Sequence, residues 1–230
     1  MAQPVIITQW QCQPASPTSI NVLPDGCRDL LLRISATQWL ELMLTGLDQA
    51  SYQVDAQAGE RFYGIRLHAG SRGNWESSPQ TESVRLQPPK LLKKLQQVVE
   101  QPPLIEQTLQ EWLDQIILQP DTLTNEFIDS ISQGAKLTGV SERTLRRRVT
   151  SSSGAPPSFW NALYRARSAA KALCRGEGGS DSELAYHWSY SDQAHLCRDM
   201  RRWFAQTPGS LRMQADQYLP SLMGEDVFYR

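Results

Sequence analysis

The residues best placed to do chemistry are the consecutive arginines Arg146, Arg147 and Arg148, with Arg143 one helical turn before them. They follow Gly139 and Ser141 within residues 136–149. A short helix ending at Gly139, a tight turn that glycine permits through its freedom at positive φ, and a second helix capped by Ser141 form the expected local structure. In that second helix Leu145 and Val149 lie one turn apart and face the core, leaving Arg143, Arg146, Arg147 and Thr150 on another face. On its own a run of arginines is a solvated surface. After such a turn it becomes a cationic face suited to a polyanion, because each arginine releases counterions from phosphate.

The same pattern recurs about forty residues later. Ser180-Asp181-Ser182-Glu183 offers a capping box, residues 184–188 a short helix, Ser189-Tyr190 a turn, and residues 191–193 the start of another helix. In that last helix Leu196, Met200 and Trp203 point one way and Gln193, Ala194, Cys197, Arg198 and Arg201 another. Between the two units Pro157–Cys174 reads as a long connecting helix, with proline in its first turn and Phe159, Trp160, Leu163, Tyr164 and Leu173 as apolar surface. Charge follows the same division. Residues 135–212 carry 13 Lys plus Arg against 6 Asp plus Glu, and the remainder 10 against 18, so a net charge of -1 conceals a basic module on an acidic one.

The elements that must position these faces fit a chain of 230 residues, enough for two compact domains or one large one at about 150 residues each. Hydrophobic residues at 40% and charged residues at 20% exclude wholesale disorder. After the turn Pro24-Asp25-Gly26, residues 27–34 form an apolar run of strand length. In a second strand, residues 61–68, Phe62, Gly64, Arg66 and His68 share one face and Tyr63, Ile65 and Leu67 the other. At Pro88-Pro89 the texture changes to helical spacing, over 90–100 and 104–118. The expected division is a sensor or dimerisation domain over 1–101, a helical linker over 102–121, and a nucleic-acid-binding domain over 122–216. Cys12, Cys27, Cys174 and Cys197 form no C-x-x-C pair, and His68, His187 and His195 are scattered, so neither a metal nor any other cofactor is expected. The first ten residues lack a basic start followed by an apolar stretch, and no run of roughly 18 apolar residues occurs. A cytoplasmic protein is expected.

Over residues 121–212 the chain resembles the DNA-binding domain of the AraC/XylS family of bacterial transcription regulators. The resemblance rests on Leu184-Ala185, Tyr190-Ser191-Asp192-Gln193-Ala194-His195-Leu196, Arg201-Arg202-Trp203-Phe204, Thr207-Pro208 and Leu211-Arg212, in that order and spacing. Residues 140–145 with Arg147, Gly154 and Pro157 match the first unit, and Arg167 with Ala170 the connecting helix. Ser189 and Ala205 stand where the family usually has glycine, and Val149 and Met200 where it usually has phenylalanine.

The resemblance implies that both second helices enter successive major grooves on one side of the duplex. Carried over by position, Arg143, Arg146 and Arg147 face the first groove, and Gln193, Ala194, His195 and Arg198 the second. The chemistry agrees, since arginine pairs with guanine O6 and N7 and glutamine with adenine N6 and N7. Ser141, Ser191 and Arg202 take positions suited to phosphate contacts. His195 is either a base contact or a packed helix residue.

Residues 22–30 and 59–70 resemble the cupin-like sensor halves of such regulators, which bind a small effector or pair two protomers. Arg66 and His68, on one strand face, are candidate contacts for an anionic effector, although the polar outer face of a sheet gives the same pattern. The implied fold is α+β: a mostly β, cupin-like amino-terminal domain followed by an all-α domain with two helix-turn-helix units joined by a long helix. The implied partners are double-stranded DNA, a small-molecule effector, a second protomer and RNA polymerase, with no membrane. The expected function is sequence-specific transcription regulation without enzymatic activity. A cupin-like metal-dependent enzyme and a protein-interaction module that no longer binds DNA are the alternatives.

Overall fold

The computed structural model describes residues 6–69, 71–73, 82–118, 121–135, 137 and 139–224. Gly70, Lys136 and Thr138, which fall in segments singled out above, lie outside the described residues. The amino-terminal strands are β1 (Ile6–Cys12), β2 (Thr18–Val22), β3 (Arg28–Ile34), β4 (Leu40–Leu44), β5 (Tyr52–Ala56), β6 (Arg61–Leu67), β7 (Arg72–Gly73) and β8 (Val84–Leu86). An antiparallel five-stranded sheet runs β1-β6-β3-β4-β8, β2 pairs with β5, and β7 pairs with β9 (Ile117–Leu118). Strict alternation in β3 buries Arg28, Leu30, Leu32 and Ile34.

The sequence-derived faces of residues 61–68 hold. Tyr63, Ile65 and Leu67 join Leu30, Leu32, Leu42 and Leu44 in one core, covered by α1 (Pro89–Gln97) and α2 (Pro102–Ile116) through Leu91, Leu95, Ile105, Leu109 and Leu113. On the opposite face the indole of Trp10 lies against Gly64, where a Cβ would come within 2.0 Å of the ring. Only glycine leaves that space.

The rest of the chain is helical: α3 (Thr122–Ser132), α4 (Glu142–Ser153), α5 (Pro157–Cys174), α6 (Asp181–His187), α7 (Gln193–Phe204), α8 (Pro208–Met213) and α9 (Ala215–Met223). The connecting helix matches expectation at both ends. Proline stands at its start, and Gly176, at φ +68°, closes it with the N–H of Gly176 bonded to Leu173 O and that of Glu177 to Ala172 O. Trp160, Leu163, Ala166, Ala169, Ala170 and Leu173 make α5 the centre of the second core, with Phe159 edge-on to both Trp160 and Trp203 at 5.3 and 5.5 Å.

The first unit departs from expectation. No helix ends at Gly139: α3 stops at Ser132, and the described residues from 133 to 141 are turn, bend or irregular. The cause is local. Gly134 takes φ +63°, its N–H bonds Ile131 O and the N–H of Ala135 bonds Ser130 O, a closed helix end that satisfies the last carbonyls and turns the chain away. The Ser130 and Ser132 hydroxyls also bond back to Phe127 O and Asp129 O, competing with helix continuation.

The β-rich and helical regions share core. Leu23, Cys27, Leu47 and Ala69 pack in the same cluster as α5 and α7. Arg167, fully buried on α5, donates from Nη1 to Pro24 O at 2.8 Å and from Nη2 to Leu222 O at 3.1 Å. The Ser51 N–H donates to Trp203 O at 2.9 Å. None of the helices among the described residues is long and apolar enough to cross a membrane.

Candidate nucleic-acid interface

The first candidate face is built by α4. Ser141 sits in an extended conformation before it, and its Oγ accepts from the Thr144 N–H at 3.2 Å. Val149 is buried and Leu145 half-buried against the second core, so Arg143, Arg146 and Arg147 are left exposed together beside Thr150 and Ser151. Among the described residues these three arginines hold no carboxylate. Arg148 is different: it pairs with Asp121, which caps α3 by accepting from the Thr124 N–H at 3.0 Å. Burial raises the Asp121 carboxyl, but the bonds from Arg148 and Thr124 outweigh it and hold the group below the ordinary range. One of the consecutive arginines therefore ties α4 to α3, and its two neighbours remain available.

The second face is built by α6, the turn and α7. Both halves of the expected capping box are present at the start of α6: Ser180 Oγ accepts from the Glu183 N–H, and the Glu183 carboxylate accepts from the Ser180 N–H at 2.8 Å. α6 closes as α5 does, with the N–H of Ser189 bonded to Tyr186 O and that of Tyr190 to Ala185 O, but Ser189 occupies the left-handed position at φ 57°. Ala205 does the same after α7 at φ 54°. Serine and alanine thus adopt the glycine conformation, at roughly 1 kcal/mol each.

Asp192 caps α7 by accepting from the His195 N–H at 2.6 Å, and that bond, aided by the charge of Arg198, holds its carboxyl below the usual range. Gln193, Ala194 and Arg198 are exposed on the free side of α7, and His195 is half-buried. Ser191 is exposed. Arg202 is exposed too, with its guanidinium 5.0 Å from the centre of the Trp203 ring.

Behind the turn stands a group that the sequence reading missed. Arg165 of α5 places its guanidinium 4.4 Å over the Tyr190 ring and pairs with Asp199 at 3.2 Å. Tyr190 is buried, and burial together with the nearby Asp199 charge pushes its phenol well above the ordinary value. No local spacing announces this clasp, because its three members come from α5, the turn and α7.

The amino-terminal pair behaves otherwise. Arg66 is held by Asp25 at 3.0 Å and Asp29 at 3.2 Å, and His68 lies fully inside the fold. Neither therefore stands on an open strand face. Around Arg66, burial raises the Asp29 carboxyl despite the opposing guanidinium, and burial with the Asp25 and Asp29 charges pushes Asp48 up to about 7. Among the described residues no group of three or more His, Cys, Asp or Glu side chains is arranged to hold a metal.

ToxT from Vibrio cholerae O395, bound to (E)-4-(8-methylnaphthalen-1-yl)but-3-enoic acid, aligns with a TM-score of 0.40 at 9% identity over 96% of this chain and 100% of that one. A second crystal form of Vibrio cholerae ToxT gives the same values, and another ToxT structure from strain O395 gives 0.39 at 8% identity over 94% and 97%. No curated protein matches the chain. A protein-family model described as a helix-turn-helix domain matches residues 135–214, which span α4 to α8 and both exposed faces. Residues 135–214 are a helix-turn-helix domain of the AraC type.

Proposed function

We propose that the protein is a sequence-specific transcription regulator that reads two adjacent major-groove segments, one with α4 and one with α7. The observation that carries this reading is the pair of capped helix starts on one α5 scaffold, each presenting donors and cations away from the core: Arg143, Arg146 and Arg147 on the first, Gln193, His195 and Arg198 on the second. An 18-residue helix is about 27 Å long, a fitting strut for units that address sites about one DNA turn, roughly 34 Å, apart. Ser141, Ser191 and Arg202 supply phosphate contacts that set register.

The β-rich half modulates this binding instead of carrying out chemistry. Its direct bonds to α5 and to the end of α7 give it a mechanical route to both reading helices. Effector binding or pairing of protomers through that half would shift DNA affinity by linkage, with a coupling of about 1 to 3 kcal/mol for a typical effector. Contact with RNA polymerase and residence in the cytoplasm follow from the same role.

Selecting fragments bound by the full chain from random genomic DNA tests the reading. A recurring non-palindromic site with two protected parts in one protomer's footprint is expected. Recovery of fragments no different from the input would overturn it.

A further inference from the structure

His195 is held in a way that fixes which ring atom it offers. The Ser191 N–H approaches Nδ1 at 3.4 Å and the Ser191 hydroxyl oxygen lies 3.1 Å from the same atom. A backbone N–H can only donate, so Nδ1 holds the lone pair. A neutral imidazole with Nδ1 as acceptor carries its proton on Nε2. A doubly protonated ring would set an Nδ1–H against the Ser191 N–H.

The ring is also fixed in orientation before any partner arrives. Its backbone is pinned by Asp192, and its plane stands at 89° to the Tyr190 ring, 5.0 Å between centres. Tyr190 in turn is clasped by Arg165, which Asp199 holds. The residue borders a solvent-open hollow that Tyr186, His187, Ser189 and Ser191 also line. The second turn and α5 thus orient a side chain on the first turn of α7, two residues after Gln193.

We propose that His195 is a specificity-determining residue that presents Nε2–H as a fixed donor, selecting a base-edge acceptor (purine N7, guanine O6 or thymine O4) and rejecting cytosine on the strand it faces. This rests on the reading of α7 as a major-groove helix. Cytosine is excluded because its groove edge offers only the N4 amino donor, and two donors cannot pair. Arg165 and Tyr190 act as positioning residues through the ring.

Two measurements on the full chain test the proposal separately from the function it rests on. The first is a long-range nitrogen-proton NMR correlation at the pH of the binding assay, with the His195 signals identified by their loss in His195→Ala. The expected pattern is a protonated Nε2 and an unprotonated Nδ1. A proton on Nδ1, alone or with Nε2, would overturn the donor assignment.

The second is selection from a random DNA pool by the parent, by His195→Ala and by Tyr190→Leu. The parent should deplete cytosine at one position of the α7 segment by about 5- to 150-fold, the range of one base contact, and His195→Ala should be indifferent there while keeping the preferences set by Arg143, Arg146 and Arg147. Tyr190→Leu, which frees the ring, should give a weaker depletion at the same position. Identical selection by the parent and His195→Ala would overturn the proposal while leaving the regulator reading intact. Absence of any selection by the parent would overturn both.

Discussion

At the scale of single residues, the strained positions carry the clearest consequences. Ser189 and Ala205 hold left-handed backbone that glycine takes without cost. Ser189→Gly and Ala205→Gly are each expected to stabilise the fold by about 1 kcal/mol in urea unfolding, with the slope unchanged. Asp48 gives a pH signature. Its folded-state pKa of about 7 lies above the ordinary carboxyl value near 4, so between the two the folded chain binds more protons than the unfolded one. Stability from this group is therefore present at acid pH and lost as pH rises through 7, and Asp29 acts in the same direction. The gap in urea midpoint between Asp48→Asn and the parent should widen in favour of the variant from pH 5 to pH 8. Equal pH profiles would show that Asp48 does not titrate in that window.

At the scale of elements, much of the helical scaffold that carries the candidate faces was legible in the sequence. The capping box at Ser180, the proline start and full length of α5, and the core residues of α4 and α7 all follow from local chemistry that acts within a turn or two. The loss of the short helix expected before Gly139 was not legible, because it follows from Gly134 closing α3 early. Two further features lay beyond any local pattern. Arg148 leaves the arginine run to pair with Asp121, 27 residues earlier, and Arg66 is taken up by Asp25 and by its cross-strand neighbour Asp29. Periodicity states which face a side chain is on, and only the fold states what waits there. Gly64 shows the same limit: it reads as a strand glycine, yet its reason is the Trp10 indole from β1. Gly64→Ala should force the indole aside and destabilise the sheet by about 1 to 3 kcal/mol, measured by chemical denaturation.

At the scale of the whole molecule, the two regions are joined by shared core and by Arg167, which donates to carbonyls of the Pro24 turn and of α9 from a fully buried site. Arg167→Met keeps the aliphatic bulk and orphans those carbonyls. A loss of about 2 to 4 kcal/mol in unfolding free energy is expected, and a single unfolding transition should broaden or split as the regions uncouple. With the β-rich half in place, Gln193 and Arg198 on α7 remain exposed. Two reading faces on one scaffold remain the central claim, and the most direct measurement compares the sequences selected by the full-length parent with those selected by Arg146→Ala/Arg147→Ala and Gln193→Ala/Arg198→Ala double variants. Each pair should relax one part of the bipartite site and leave the other sharp, at about 1 to 3 kcal/mol for each lost base contact. Selection of the parent's full site, at the parent's affinity, by the Gln193 and Arg198 variant would contradict the account and leave α7 a structural support.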